Sequence, residues 1–211
     1  MKKAALFDLD GTLVNSMSRF SAGIFTILDE NGIEYETEEI INITTPLGYI
    51  KSAEYFISLG VKGTVEEIVK KMGENLVYEY SNNIYLKPYV KEYLTKLKDE
   101  GYSLYVLTAS PHLVTDPCLK HNGVFDMFTK VWSVDDFGMS KSDIEIFYKT
   151  AQEMNCKPEE ALFFDDNVTA VINSVKAGYT AIGVKDNQLP EDIDTIKKIA
   201  SRYIESFEEL L

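Results

Sequence analysis

Cysteine is almost missing from this chain, and so is any surplus of positive charge. Its 211 residues include two cysteines, Cys118 and Cys156, far apart and without metal-ligand spacing around them. That excludes a disulfide-stapled scaffold and a thiolate metal site, and it suits a reducing, cytoplasmic setting. Lys and Arg number 21 against 34 Asp and Glu, a net charge of −13. With no basic patch anywhere, nucleic acid is excluded as a partner, and an anionic membrane would be repelled. No apolar stretch approaches the ~20 residues of a membrane span. The opening Met1 to Phe7 is basic and then apolar, but Asp8 ends the run far too early for a signal peptide. Internal repeats and low-complexity segments are also missing. What remains is 45% hydrophobic residues, enough for a core, in a length that suits one domain with an insertion or two small domains.

The pattern along the chain has two parts. Ala4-Ala5-Leu6-Phe7 reads as a short buried strand. Residues 17 to 82 then hold no convincing strand. Met17 to Asn31 is amphipathic and stopped by Gly32, Thr37 to Ile41 opens on a cap-like Thr, and Thr44 to Gly48 is a loop. Ile50 to Leu59 and Val65 to Ser81 read as further helices, the latter capped by Thr64 with Glu67 three residues on. From residue 86 short apolar strands alternate with helices. The strands are Ser103 to Leu107, Thr129 to Ser133, Ala161 to Phe164 and Thr180 to Val184. The helices are Pro88 to Glu100, one from Ser110-Pro111 that Pro117 should kink or break, Asp143 to Asn155, and Val168 to Ala177. Glu205 to Leu211 reads as a terminal helix. Such alternation predicts an α/β fold: a Rossmann-like parallel sheet with helices on both faces, residues 1–14 and 83–211, interrupted by a helical block at 15–82.

Polar groups stand where these strands end. Asp8 and Asp10 follow the first, Thr108 closes the second, Asp165 and Asp166 follow a later one, and Lys141 precedes a helix. In a parallel sheet the carboxyl ends share one edge, where ligands bind. Two carboxylates as close as Asp8 and Asp10 repel unless a cation or a shared proton intervenes. The set offers a nucleophile candidate, a hydroxyl, an ammonium and enough oxygen ligands for Mg²⁺, which needs only two or three from protein. That is equipment for phosphoryl transfer.

At these residues the chain resembles the haloacid dehalogenase-like hydrolase superfamily, in its phosphoglycolate phosphatase-like branch with a small α-helical cap. Asp8-Leu9-Asp10-Gly11-Thr12 is similar to the family's first motif, Thr108 in Val106 to Ser110 to its second, Lys141 to its third and Asp165-Asp166 to its fourth. The resemblance implies that Asp8 attacks phosphorus to give an aspartyl phosphate. It implies that Asp10 is the general acid and then the general base. Thr108, Ala109, the main chain of Leu9 and Asp10, and Lys141 would hold the phosphoryl oxygens. Mg²⁺ would sit on the Asp8 carboxylate, the Asp10 carbonyl and Asp166. The fourth motif departs from the commonest pattern: Asp165 replaces Gly, and Ala170 stands where a later Asp is common. Asp165 is therefore expected to supply the second acidic contact, through a metal-bound water.

The helical block would be the family's cap, and Arg19, Thr45, Tyr49 and Lys51 are its candidates for meeting substrate, Arg19 foremost. His112 and His121 read as surface histidines. The implied activity is Mg²⁺-dependent hydrolysis of a small phosphorylated metabolite. A phosphomutase or other phosphotransferase of the family is the rival. It would call for a cap acid/base group, often a His, whereas this block has none and reads Ser18-Arg19-Phe20. A dehalogenase has no need of Asp10. A receiver-type binding module would be little more than half this length. A catalytically silent interaction protein would release no phosphate. The sequence carries no signal of oligomeric state.

Overall fold

The computed structural model describes residues 3–44 and 47–211. It divides into two compact units, one running up to Asn15 and again from Tyr85 to Leu211, the other spanning Ser16–Ile84.

The first unit is built on a six-stranded sheet in the order β3-β2-β1-β4-β5-β6, every neighbouring pair parallel. Its strands are β1 (Ala4–Phe7), β2 (Ser103–Thr108), β3 (Lys130–Ser133), β4 (Ala161–Asp165), β5 (Thr180–Val184) and β6 (Arg202–Ile204). The chain steps outward from β1 to β3 and then returns past β1 to β4, so the direction of winding reverses beside β1. Register matters more for function than strand count. Phe7 pairs with Val106 on one side and Phe164 on the other. The next residues on these strands, Asp8 and Asp165, therefore emerge side by side, and Asp8 N–H donates to the Phe164 carbonyl at 2.9 Å.

Side chains alternate across the sheet. Leu6, Leu107 and Phe163 face Ile146, Phe147 and Ala170 in one core. On the opposite face Phe7 stacks on Phe164 with ring centroids 4.4 Å apart, and Tyr93 meets Phe164 edge-on. The helices follow from this split. In the second unit the described residues form α1 (Met17–Glu30), α2 (Thr37–Thr44), α3 (Gly48–Ser58) and α4 (Val65–Asn82). In the first unit α5 (Val90–Asp99) and α6 (His112–His121) precede β2 and β3, and α7 (Glu145–Glu153), α8 (Val168–Ala177) and α9 (Pro190–Ile199) complete the chain. Tyr93 places α5 on the Phe7 face; Ile146 and Ala170 place α7 and α8 on the Leu6 face. Right-handed crossovers require that division once winding has reversed.

Among its described residues the second unit consists of helices joined by short loops, around a core that includes Ile27, Leu28, Phe56, Ile68 and Met72. As the sequence predicts, Thr64 caps α4: Glu67 N–H donates to Thr64 Oγ1 at 3.3 Å, and Thr64 N–H donates to the Glu67 carboxylate at 2.8 Å.

Pro117, expected to kink or break its helix, lies inside α6 without ending it. It removes one bond, to the carbonyl of Leu113, a residue 66% exposed on the open side of the helix. Glu205 to Leu211 is not an α-helix. The chain first adds β6, then makes a 3₁₀ turn over Phe207–Leu210. The Glu209 carboxylate accepts from the N–H groups of Glu205 and Ser206 at 2.7 and 3.1 Å, which closes the turn tightly, and Phe207 is buried against Tyr93.

Candidate active site

The carboxyl edge of the sheet gathers Asp8, Asp10, Thr108, Lys141, Asp165 and Asp166 around one cleft of about 480 Å³. Ala109 also lines it. Leu9 does not: its side chain is fully buried, and its carbonyl accepts the N–H groups of Thr12, Leu13 and Val14. That turn lets Asp10 follow Asp8 without prolonging the strand.

Lys141 is the hub. Its Nζ donates to Asp8 Oδ1 at 2.5 Å and to Asp165 Oδ2 at 2.7 Å. Its loop is anchored by Asn173 of α8, whose Nδ2 donates to the carbonyls of Lys141 (3.1 Å) and Ser142 (2.9 Å). A nearly buried Asn in mid-helix was the available signal for this anchor, and motif reading passes it by. Asp165 has no exposure at all. Its other oxygen accepts from Asn167 N–H at 2.8 Å, so both of its oxygens have partners. Thr108 is 1% exposed and its Oγ1 accepts from Ser110 N–H at 3.0 Å. Ser110, which sequence reasoning placed only in the second motif, has a part of its own: its hydroxyl donates to Asp10 Oδ2 at 2.6 Å.

Burial dominates the electrostatics. It raises the Asp8 carboxyl well above the usual range; Lys141 pulls against it, while Asp165, Asp166 and Asp10 push the same way. Asp166 is pushed up to about 7 by burial first and by Asp165 next. Lys141 suffers the same burial, but Asp165 and Asp8 more than compensate and hold its ammonium charged. Among the described residues that line the cleft, one lysine faces four aspartates, a poor seat for an anionic substrate without a further cation. The donors for one are present. Carboxylate oxygens of Asp8, Asp165 and Asp166 lie within 4.8 Å of one another, and an all-oxygen set of this kind fits Mg²⁺.

Behind Asp166 lies a group that sequence reasoning missed. Asp186, just past β5, shares with Asp166 the space over Gly11: a Cβ there would lie 2.7 Å from Asp166 Oδ2 and 2.9 Å from Asp186 Oδ2. Gln188 ties this region down, donating to the carbonyls of Asp166 (2.8 Å) and Val184 (2.7 Å). A lone Asp after the last apolar strand was the only hint.

The second unit's candidates are less informative. Lys51 is exposed on α3 and Tyr49 is 44% exposed beside it. Thr45, and the side chain of Arg19, lie outside the described residues. His112 is more engaged than a surface histidine need be. Its ring nitrogens reach Asp116 and Asp136, each at 2.9 Å, and these bonds raise its pKa.

Residues 5–184 match the family model of haloacid dehalogenase-like hydrolases. The chain is 27% identical over 186 residues to a phosphoglycolate phosphatase from Haemophilus influenzae, covering 84% of this chain and 83% of that protein. It is 28% identical over 182 residues to the pyrophosphatase PpaX of Bacillus cereus, covering 82% and 78%. Among solved structures, a predicted phosphoglycolate phosphatase from Haemophilus somnus 129pt superposes with a TM-score of 0.79 at 22% identity, covering 99% of this chain and 96% of that one. At that identity the likeness establishes the fold alone.

Proposed function

Since the chain belongs to the haloacid dehalogenase-like hydrolase family, we propose that it is a phosphatase of small phosphorylated metabolites, with Asp8 as nucleophile. The observation that carries this reading is the contact of Lys141 with Asp8 at 2.5 Å, beside Asp10 and Asp166 in one cleft.

An Asp8 oxygen attacks phosphorus, and the bond from phosphorus to the ester oxygen breaks. Asp10, held by Ser110, gives its proton to the departing oxygen. In the second half Asp10 takes a proton from water, the water oxygen attacks the same phosphorus, and inorganic phosphate leaves as the Asp8 carboxylate is restored. Splitting one displacement into two lowers each barrier, and one residue can serve both proton transfers because the first leaves it as a base. Thr108, the main chain beside it and Lys141 hold the phosphoryl oxygens, whose charge grows toward the transition state. Asp8, Asp166 and the Asp10 carbonyl would hold Mg²⁺, and the ion would supply charge that screens the carboxylate nucleophile from its anionic target. Asp165 grips Lys141 directly, so any service of it to the metal would run through a bound water.

We assign Ser16–Ile84 as the family's helical cap, with Arg19, Thr45 and Lys51 as its candidates for substrate selection. No His lies in that segment, which favours hydrolysis over phosphoryl transfer to a second sugar hydroxyl. Cys118 and Cys156 are not joined in a disulfide, which suits a cytoplasmic enzyme. Among the described residues no helix is long and apolar enough to cross a membrane.

The test is phosphate release from a panel of small phosphomonoesters, with Mg²⁺ and with excess chelator. The reading requires release that chelator abolishes, and kcat/KM for at least one small ester well above that for a phosphopeptide or a 3′-phosphorylated oligonucleotide. No release from any of them rejects hydrolysis; equal use of the large substrates rejects the cap assignment.

A further inference from the structure

Outside the cleft, one cation is held in an unusual way. Lys87 follows the chain's return to the sheet unit, where Asn15 N–H donates to the Tyr85 carbonyl at 3.3 Å and Lys87 N–H to the Leu13 carbonyl at 2.8 Å. Its backbone is therefore fixed beside the first motif. Its side chain is only 15% exposed. The ammonium donates to the Gly11 carbonyl and, at 2.7 Å, to the Lys185 carbonyl, and it pairs with Asp186 at 3.1 Å. An ammonium has three donors, and here three acceptors surround it.

Two of those acceptors are uncharged carbonyls on segments distant in sequence: the turn after β1 and the end of β5. A plain ion pair has no use for them, and a surface pair would contribute little. What the arrangement does is mechanical. The turn that carries Asp10 is held on one side by Gly11 N–H donating to the Val14 carbonyl at 3.0 Å. Lys87 holds the carbonyl of the same residue on the other side. Lys87 is not among the residues lining the cleft, so it would act from outside it.

We propose that Lys87 is a positioning residue: it pins the Asp10–Gly11 turn to the end of β5 and so aims the Asp10 carboxyl for proton transfer. The proposal rests on the phosphatase reading for its kinetic consequence, but not for its structural one. Release of the turn displaces Asp10 slightly, and a displacement of about 1 Å can cost about a hundredfold in rate.

The experiment uses the full chain and p-nitrophenyl phosphate with Mg²⁺. Lys87→Met is expected to lower kcat about ten- to a hundredfold with KM changed less than about threefold. Lys87→Arg, which keeps charged donors, is expected to recover most of the loss and also serves if the Met variant folds poorly. In an Asp10→Asn background Lys87→Met should cost much less than in the wild type, because the carboxyl it aims is gone. Hydrogen exchange read by mass spectrometry should rise in the Asp8–Val14 peptide of Lys87→Met. An unchanged kcat, a loss that simply multiplies with that of Asp10→Asn, or unchanged exchange in that peptide overturns the proposal. If the wild type itself releases no phosphate, the phosphatase reading fails, and the exchange measurement still decides whether Lys87 holds the turn.

Discussion

Lys141 Nζ lies 2.5 Å from Asp8 Oδ1, so the proposed nucleophile and its counter-charge meet before any substrate arrives. The same ammonium holds Asp165, a carboxylate with no solvent exposure. Lys141→Ala is therefore expected to act twice. It should lower kcat by about 10²–10³-fold, as for loss of one charge-stabilising donor. It should also destabilise the fold by about 3–5 kcal/mol, because two buried carboxylates lose the cation they share. Urea melts and steady-state rates on the same sample check both; a loss of rate below about threefold would mean that Lys141 has no part in the chemistry.

Asp8→Asn and Asp10→Asn should fail differently. An amide at position 8 is a far poorer nucleophile, so turnover should vanish. Stability should hold or rise, since the buried Asp8 carboxylate is held against its desolvation cost. Asp10→Asn keeps the nucleophile but loses the general base. It should take up phosphate from an activated ester and release it slowly, which mass spectrometry would read as protein carrying one added phosphoryl group. Wild-type rates in either variant would remove that residue from the mechanism.

The sequence carried the core of this site because the family's motifs fall at strand ends, and parallel register then does the assembly. Asp8 and Asp165 could be paired on paper once β1 and β4 were recognised. What stayed hidden was held by residues whose partners are remote in sequence. Asn173 anchors the Lys141 loop from mid-helix, Ser110 meets Asp10 through its hydroxyl, and Lys87 and Asp186 meet only because β5 ends near Gly11. None of these pairings leaves a periodic or spaced trace. β6 was missed for another reason: three residues are too few to carry alternation, and Ser206 with Glu209 closes a 3₁₀ turn where helix propensity alone predicts an α-helix.

Asp166 gives a pH prediction. Burial and Asp165 push its carboxyl up to about 7, from an ordinary value of 3.8. Between those values the metal-free folded state holds a proton that the unfolded chain does not. This carboxyl's contribution to stability therefore grows as pH falls through about 7 and weakens as pH rises. A metal must displace that proton, so Mg²⁺ affinity should fall as pH drops below 7. Calorimetric titrations at about pH 6 and pH 8 read the effect directly. Asp166→Ala should weaken Mg²⁺ binding more than Asp165→Ala, because Asp165 is already committed to Lys141 and Asn167. The reverse ranking would exchange the two roles.

Gly11→Ala tests how closely the first motif packs on the proposed metal carboxylates. Gly11 has φ +79°, a left-handed conformation that costs a non-glycine residue about 1–2 kcal/mol. Its missing Cβ would also stand 2.7 Å from Asp166 Oδ2 and 2.9 Å from Asp186 Oδ2. Both neighbours are ends of flexible side chains, so the protein should fold, with Asp166 turned away from Asp8. The strain and the displacement can be separated, because Gly101 has φ +85° and nothing within 4 Å of its added Cβ. Gly101→Ala is expected to lose a similar amount of stability while keeping Mg²⁺ affinity and kcat. Gly11→Ala is expected to lose stability and, in addition, at least about tenfold in Mg²⁺ affinity, in the range seen when groups supporting a metal site are removed. Equal Mg²⁺ affinity in the two variants would show that Asp166 can yield to the new methyl group without leaving the metal, and that Gly11 serves only the turn.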